Sequence, residues 1–351
     1  MTRTILTLAV LLWVGVTACL AADDLPIQVY ACMRAASSPV IDGRLDDGCW
    51  EAVPVANGFA EFHGGALAPV QTFFRAAYDD AALYIAVTCD EPTPGRISLV
   101  AAARDELEIF RHEAVEIFLD PGHSHTRFYQ LGVDAAGSLY DVGPEVGTHW
   151  DGKITAAALI GEKAWYVELR VPWQGLGVTP ATGQVHGINV CRDRYIGAGQ
   201  PWSSWARVMR TFHDPVRFGH LTLSPTAEFL SQLAADFRAD ERTGVILITA
   251  GKDLGDAASQ GLLRAALAQL DARLEQLNRA AGSESDDAVR QALETRLGEY
   301  ATAAEAARTA LTAKSVDAET LARLELGLNR ISTQLDKLLW QVRLEALLAG
   351  I

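Results

Sequence analysis

In Ala114-Val115-Glu116-Ile117-Phe118-Leu119, followed by Pro121-Gly122, Val115, Ile117 and Leu119 fall on one side of an extended chain and Glu116 falls on the other. That period of two, ended by turn residues, reads as a strand with one face in a core. The same pattern recurs on both sides of it. Phe73 to Tyr78, Leu83 to Val87, Phe128 to Val133, Trp165 to Val171 and Val185 to Cys191 are short apolar runs. Asp79-Asp80, Ala136-Gly137, Gly161-Glu162-Lys163 and Thr182-Gly183 supply the turns between them. Many short strands spaced this way indicate an antiparallel β-sandwich, immunoglobulin- or jelly-roll-like, rather than alternating strands and helices.

The pattern changes after Pro225. Gly, Pro and aromatic residues thin out, and every Trp except Trp340 lies before this point. Leu263, Leu267, Leu270, Leu274 and Leu277 step by four and three, as do Leu321, Leu324, Leu328, Ile331, Leu335, Leu338 and Val342. Val289, Leu293, Leu297, Tyr300, Ala304, Ala307 and Leu311 form a looser stripe. Such stripes bury one helical face against partner helices. The expectation is an all-α helical bundle of three long helices, with a shorter helix near Thr226–Ala239. In Gly244 to Thr249 the β-branched residues favour an extended segment. No His follows His220 and no Glu-x-x-His pair occurs, so the helices are expected to pack, space or self-associate.

The chain has 351 residues, 49% hydrophobic and 21% charged, with 44 acidic against 30 basic side chains and a net charge of −14. This length suits two domains. The acidity argues against nucleic acid and against a basic membrane-docking surface. Residues 1–22, with Arg3, an apolar run from Ile5 to Val16 and Cys19-Leu20-Ala21, read as an export signal, which places the protein outside the cytoplasm. Val16-Thr17-Ala18-Cys19 also fits a lipobox, so a membrane tether is expected only if Cys19 is lipidated. Residues 28–225 then form the sandwich and 226–351 the helical region. Cys32, Cys49, Cys89 and Cys191 allow three disulfide pairings or stay as buried thiols.

Five segments in order carry a resemblance: Val40 to Trp50 (VIDGRLDDGCW), Arg75 to Ile85, His112 to Pro121 (HEAVEIFLDP), Trp165 to Trp173 (WYVELRVPW) and Phe212 to Leu221 (FHDPVRFGHL). Over residues 36–224 the chain resembles the family 9 carbohydrate-binding modules, often appended to xylanases, and their wider relatives. The resemblance implies a sugar held between two aromatic rings with polar side chains at its hydroxyls. By motif position the rings fall on Phe110 and Phe212 and the strand carboxylate on Glu116. The family's Arg on the next strand falls on Gly132, which removes a fork of donors. Trp202 and Trp205, close to Phe212 in sequence, are further candidate sugar platforms if exposed, with core packing the other reading for Trp205.

The implied function is an exported, non-catalytic carbohydrate-binding protein serving breakdown of xylan- or cellulose-type polysaccharide. The alternative is a structural or interaction protein with an inert sandwich. Asp105, Glu106, Glu113, Glu116 and Asp120 offer carboxylates, yet no motif separates an acid from a base, so no catalytic residue is assigned. His123-Ser124-His125 reads as a solvated turn, and no metal or cofactor is expected. Distant relatives of the sandwich hold haem. Here only Met33 and Met209 remain as Met ligands after the leader, and no Cys-x-x-Cys-His motif occurs.

Overall fold

The computed structural model describes residues 26–51, 53–62, 66–197, 199, 201–208, 210–239, 246–250, 259–282, 287–312 and parts of 319–337. Residues 1–22, read as an export signal and including Cys19, and Met209 lie outside the described residues.

Two sheets face each other and share one strand. The first runs β7 (Leu139–Val142), β6 (Tyr129–Asp134), β5 (Ala114–Asp120), β10 (Val185–Asp193), β12 (Gly219–Leu223) and β1 (Ile27–Arg34). The second continues from the end of β1 through β3 (Thr72–Tyr78), β4 (Ala82–Asp90), β9 (Ala164–Pro172) and β8 (Thr155–Ile160). β11 (Trp202–Ser204) pairs with β10 and with the short β2 (Ala60–Glu61). Val115, Ile117 and Leu119 of β5 meet Val87, Val167 and Leu169 of the other sheet in one continuous core. The alternation read from the sequence is therefore the alternation between core and outer face.

Local chemistry sets the corners. Asp79 accepts from the N–H groups of Ala81 and Ala82 at 2.8 and 2.9 Å, closing the β3–β4 hairpin. The Val40 to Trp50 motif wraps over β9, where buried Glu168 accepts from the Asp42 and Gly43 N–H groups and Trp50 Nε1. Gly43, at φ +85°, has Ala158 and Leu159 close to where a Cβ would stand, so only Gly fits that wrap. Cys32, Cys49, Cys89 and Cys191 are unbridged and buried, the second of the two sequence alternatives.

Two expectations need correction. The sandwich is not wholly antiparallel, since β1 runs parallel to β12, to β3 and to β13 (Ile246–Thr249). Periodicity reports which side of a strand is buried and carries no information about direction. The region after residue 225 is also not the all-α bundle expected, because β13, within the Gly244 to Thr249 stretch whose β-branched residues favour extension, extends the first sheet beside β1. Helix α1 (Ala227–Ala239) covers the outer face of β1, with Leu230 and Phe237 against Val29. Helices α2 (Ser259–Gly282) and α3 (Asp287–Thr312) join their stripes through Leu267, Leu270, Leu274, Leu277, Leu293 and Leu297, with Leu328 and Leu335 added from the C-terminal segment. The stripe positions Leu263, Val289, Leu311, Leu321, Leu338 and Val342 lie outside the described side chains.

The C-terminal helical segment docks on the second sheet. Ala322 and Leu326 pack with Val55 and Phe73. Arg323 donates from Nη1 and Nη2 to the Asp90 carboxylate, both at 2.9 Å, and lies over the Phe73 ring at 4.3 Å. Arg75 reaches Glu319 at 2.9 Å, and Arg330 donates to the Ala68 and Pro69 carbonyls at 2.8 and 3.1 Å.

Candidate carbohydrate-binding face

The outer face of the first sheet carries the polar chemistry. On β5, Glu116 points away from the core, opposite Gly132 of β6 on one side and Cys191 of β10 on the other. Gln130, two residues before Gly132, is on the same face and donates Nε2 to Glu116 Oε2 at 2.6 Å. Its Oε1 lies 2.9 Å from His213 Nε2, so the amide orientation requires His213 to donate from Nε2. Burial lowers the His213 pKa, which suits that neutral ring.

Asp193, two residues past Cys191, shares the outer face and brings its carboxyl against that of Glu116. Both side chains are buried, Asp193 with 2% of its surface exposed. Burial raises the Glu116 pKa to about 7, against hydrogen bonds from Gln130 and Asp193 that favour the ionised form. Asp193 is raised well above the usual carboxyl range, by burial first and by the Glu116 charge second. Burial therefore pushes the pair towards sharing a proton.

Aromatic rings surround this row. Phe110 is half-buried, edge-on to Tyr140 at 4.9 Å. It lies over Gly132, where a Cβ would stand 2.8 Å from Phe110 Cε1. Tyr195 donates its hydroxyl to the Phe110 carbonyl at 2.7 Å and its N–H to Glu113 Oε1 at 3.1 Å. Phe62 meets Phe212 at 5.4 Å and Trp202 at 6.1 Å. Trp202 and Tyr195 are the open aromatics here, 39% and 43% exposed.

A family model described as carbohydrate family 9 binding domain-like matches residues 41–226. The chain belongs to that family. Solved structures similar to this family 9 domain include a family 9 carbohydrate-binding module from Caldicellulosiruptor kristjanssonii in complex with glucose. It is 18% identical, covers 56% of this chain and 95% of its own, and has a TM-score of 0.44. The same organism's module in complex with cellotriose gives 18% identity, 56% and 94% coverage, and a TM-score of 0.44. Among curated proteins no match is found.

Within this family 9 domain, the sequence-derived residues separate. Glu116 sits in the polar row, Phe110 lies beside it over Gly132, and Trp202 is on the rim. Phe212 precedes His213 but is itself buried among Phe62, Phe118 and Phe218, so its ring offers an edge rather than an open plane. Trp205 takes the packing role of its two readings and is corrected as a site residue. It is 0% exposed, packs edge-on against Phe74 at 5.0 Å, and belongs to the core. β11 turns inward after Ser204, and aromatic composition alone does not show that turn.

Gln130, Asp193, Tyr195 and His213 were not singled out from the sequence. Asp193 was recoverable: β10 keeps its period of two past Cys191, and Arg192-Asp193-Arg194 alternates charge across it. His123 packs against His125 and His220, at 4.2 and 4.3 Å between ring centres, and Asp120 gathers the N–H groups of Ser124 and His125. Among the described residues, no group of three or more His, Cys, Asp or Glu is arranged to hold a metal ion.

Proposed function

We propose that this protein binds carbohydrate without cleaving it, on the outer face of the first sheet, and that it is exported to serve breakdown of xylan- or cellulose-type polysaccharide. The observation that carries this reading is the row Glu116–Gln130–His213 beside open aromatic surface at Tyr195 and Trp202. Sugar hydroxyls need directional donors and acceptors, and sugar C–H faces pack on aromatic rings. Membership of a carbohydrate-binding family supports the same assignment.

Retention in affinity gels containing xylan or soluble cellulose derivatives tests it. Trp202→Ala and Glu116→Gln are expected to weaken retention at least tenfold, and Phe110→Ala to weaken it less. Absence of retention across a broad glycan array would sink the reading. That outcome would favour the second reading, an interaction protein with an inert sandwich, which the Phe110 ring over Gly132 and the docked C-terminal segment support.

A further inference from the structure

The rim tryptophan, Trp202, is held by chain that lies outside the strands of the polar row. Its carbonyl accepts from the Phe62 N–H at 3.0 Å, and the Phe62 ring stands edge-on to its indole. Phe62 follows β2, which meets β11 in two pairs, Ala60 with Ser204 and Glu61 with Ser203. So short a ladder fixes little by itself. A second limb, residues 66–69, lies along the first, residues 59–62. The Glu61 N–H donates to the Ala66 carbonyl at 2.8 Å and the Ala68 N–H to the Phe59 carbonyl at 2.9 Å, with Ala60 paired to Leu67 between them.

The C-terminal helical segment grips that second limb at two points. Leu67 packs against the cluster that Ala322 and Leu326 form with Val55 and Phe73. Arg330 Nη2 donates to the Ala68 carbonyl at 2.8 Å and to the Pro69 carbonyl at 3.1 Å. The Ala68 oxygen also takes Gln71 Nε2 at 2.7 Å, and the same buried amide reaches the Phe59 carbonyl at 2.9 Å. Both lone pairs of one carbonyl are thus used, one by Gln71 and one by the helical segment. A guanidinium that directs its donors at main-chain oxygens fixes the path of the backbone, and its charge strengthens each bond.

We infer that the C-terminal segment positions the sugar-binding face, with Arg330 as a positioning residue that sets the stance of Trp202 through residues 66–69 and 59–62. The inference rests on the carbohydrate reading above and gives the helical region a part in it. An aromatic platform binds more tightly when its plane is already fixed, because any freedom it keeps while unbound is lost on binding. Arg330 touches no sugar; it reduces that loss in advance. Linkage makes the coupling reciprocal. A segment whose docking favours sugar binding is itself held more firmly once the sugar is bound.

Calorimetric titration of the full chain with cellohexaose and with xylohexaose tests this, as a double-mutant cycle between Arg330 and Trp202. Arg330→Ala is expected to weaken binding of the hexaose that the wild type takes by about three- to tenfold. Arg330→Lys keeps a charged donor and is expected to weaken it less. In a Trp202→Ala background Arg330→Ala is expected to add less than about twofold, because the group it positions is gone. Hydrogen exchange of the wild type reads the same coupling without a variant: saturating hexaose is expected to slow exchange within residues 319–337. Unchanged affinity in Arg330→Ala overturns the inference and leaves the carbohydrate reading standing. An equal loss in both backgrounds overturns it too, since Arg330 would then support the fold at large. Exchange in residues 319–337 that ignores bound hexaose overturns it as well, and decides the matter where a variant does not fold or binds too weakly to titrate. Binding of neither hexaose by the wild type removes the carbohydrate reading and this inference with it.

Discussion

Two carboxyl sites lie back to back on the end of β10 and behave in opposite ways. Arg192 and Arg194 both reach Glu91, Arg194 with Nε at 2.8 Å and Nη2 at 3.1 Å, and Arg192 at 3.5 Å. Asp193, between them in sequence, faces the other way to Glu116 and meets no cation among the described residues. A strand sends successive side chains to opposite faces, so one tripeptide separates the charges. Burial acts on both carboxyl sites. At Glu91 the hydrogen bonds from Arg194 and Thr93 outweigh it, and the pKa lies below its ordinary value. At Glu116 nothing outweighs it, and the pKa lies above. A compensated carboxylate is a structural fastening that stays ionised, whereas an uncompensated one is pushed towards its protonated form.

Removing Glu91 tests the fastened side most severely. Glu91→Ala strands Arg192, a guanidinium with 1% of its side chain exposed, and is expected to cost about 3–5 kcal/mol. Urea unfolding at neutral pH measures this. Because the folded pKa of Glu91 is depressed, its contribution is present above the ordinary carboxyl range and is lost as pH falls through the folded value. A loss below about 1 kcal/mol would mean that the Arg cluster is carried by the Gln71 and Asp90 carbonyls instead.

The second prediction has the opposite sign. Glu116 has a raised folded pKa, so its contribution is fully present below the ordinary carboxyl range and is lost as pH rises through about 7. Glu116→Gln removes that loss. The difference in unfolding free energy between about pH 5 and pH 8 is expected to shrink by on the order of 1–2 kcal/mol. An unchanged pH slope in the variant would mean that the pair does not hold a proton, and the contrast with Glu91 would disappear.

How much of this was legible beforehand depended on what periodicity encodes. The alternation in Ala114 to Leu119 placed Glu116 on the outer face, and the Val40 to Trp50 motif marked a loop that β9 holds through Glu168. The direction of β1 was hidden, because parallel and antiparallel neighbours bury the same residues. Trp202 and Trp205 are three residues apart in an aromatic segment, and only the inward turn after β11 makes one a rim residue and the other core. The docking of the C-terminal segment on Phe73 was hidden as well, since a leucine stripe shows that a helix face is buried and not what buries it.

Gly132 sharpens the comparison at a smaller scale. A Cβ there meets the far edge of the Phe110 ring, a side chain able to swing, so Gly132→Ala is expected to cost only about 1 kcal/mol. In a Phe110→Ala background the same substitution is expected to cost nothing, which a double-mutant cycle reads directly. An equal cost in both backgrounds would show that the strand, and not the ring, requires the glycine.

The smallest effect is expected where charges pair in the open. Arg323 makes two good bonds to Asp90, but 42% of its side chain is exposed, and water competes for both partners. Arg323→Ala is therefore expected to cost less than about 1 kcal/mol in global unfolding, even counting its contact with the Phe73 ring. The segment keeps Arg75–Glu319, the Arg330 bonds and the Ala322 and Leu326 packing. Hydrogen exchange is expected to rise within residues 319–337 and to stay unchanged in β5 and β10, because local opening of an exposed contact does not pass through the sandwich core. If Arg323→Ala instead destabilised the whole chain as much as Glu91→Ala, burial would not be what distinguishes the fastenings of this molecule.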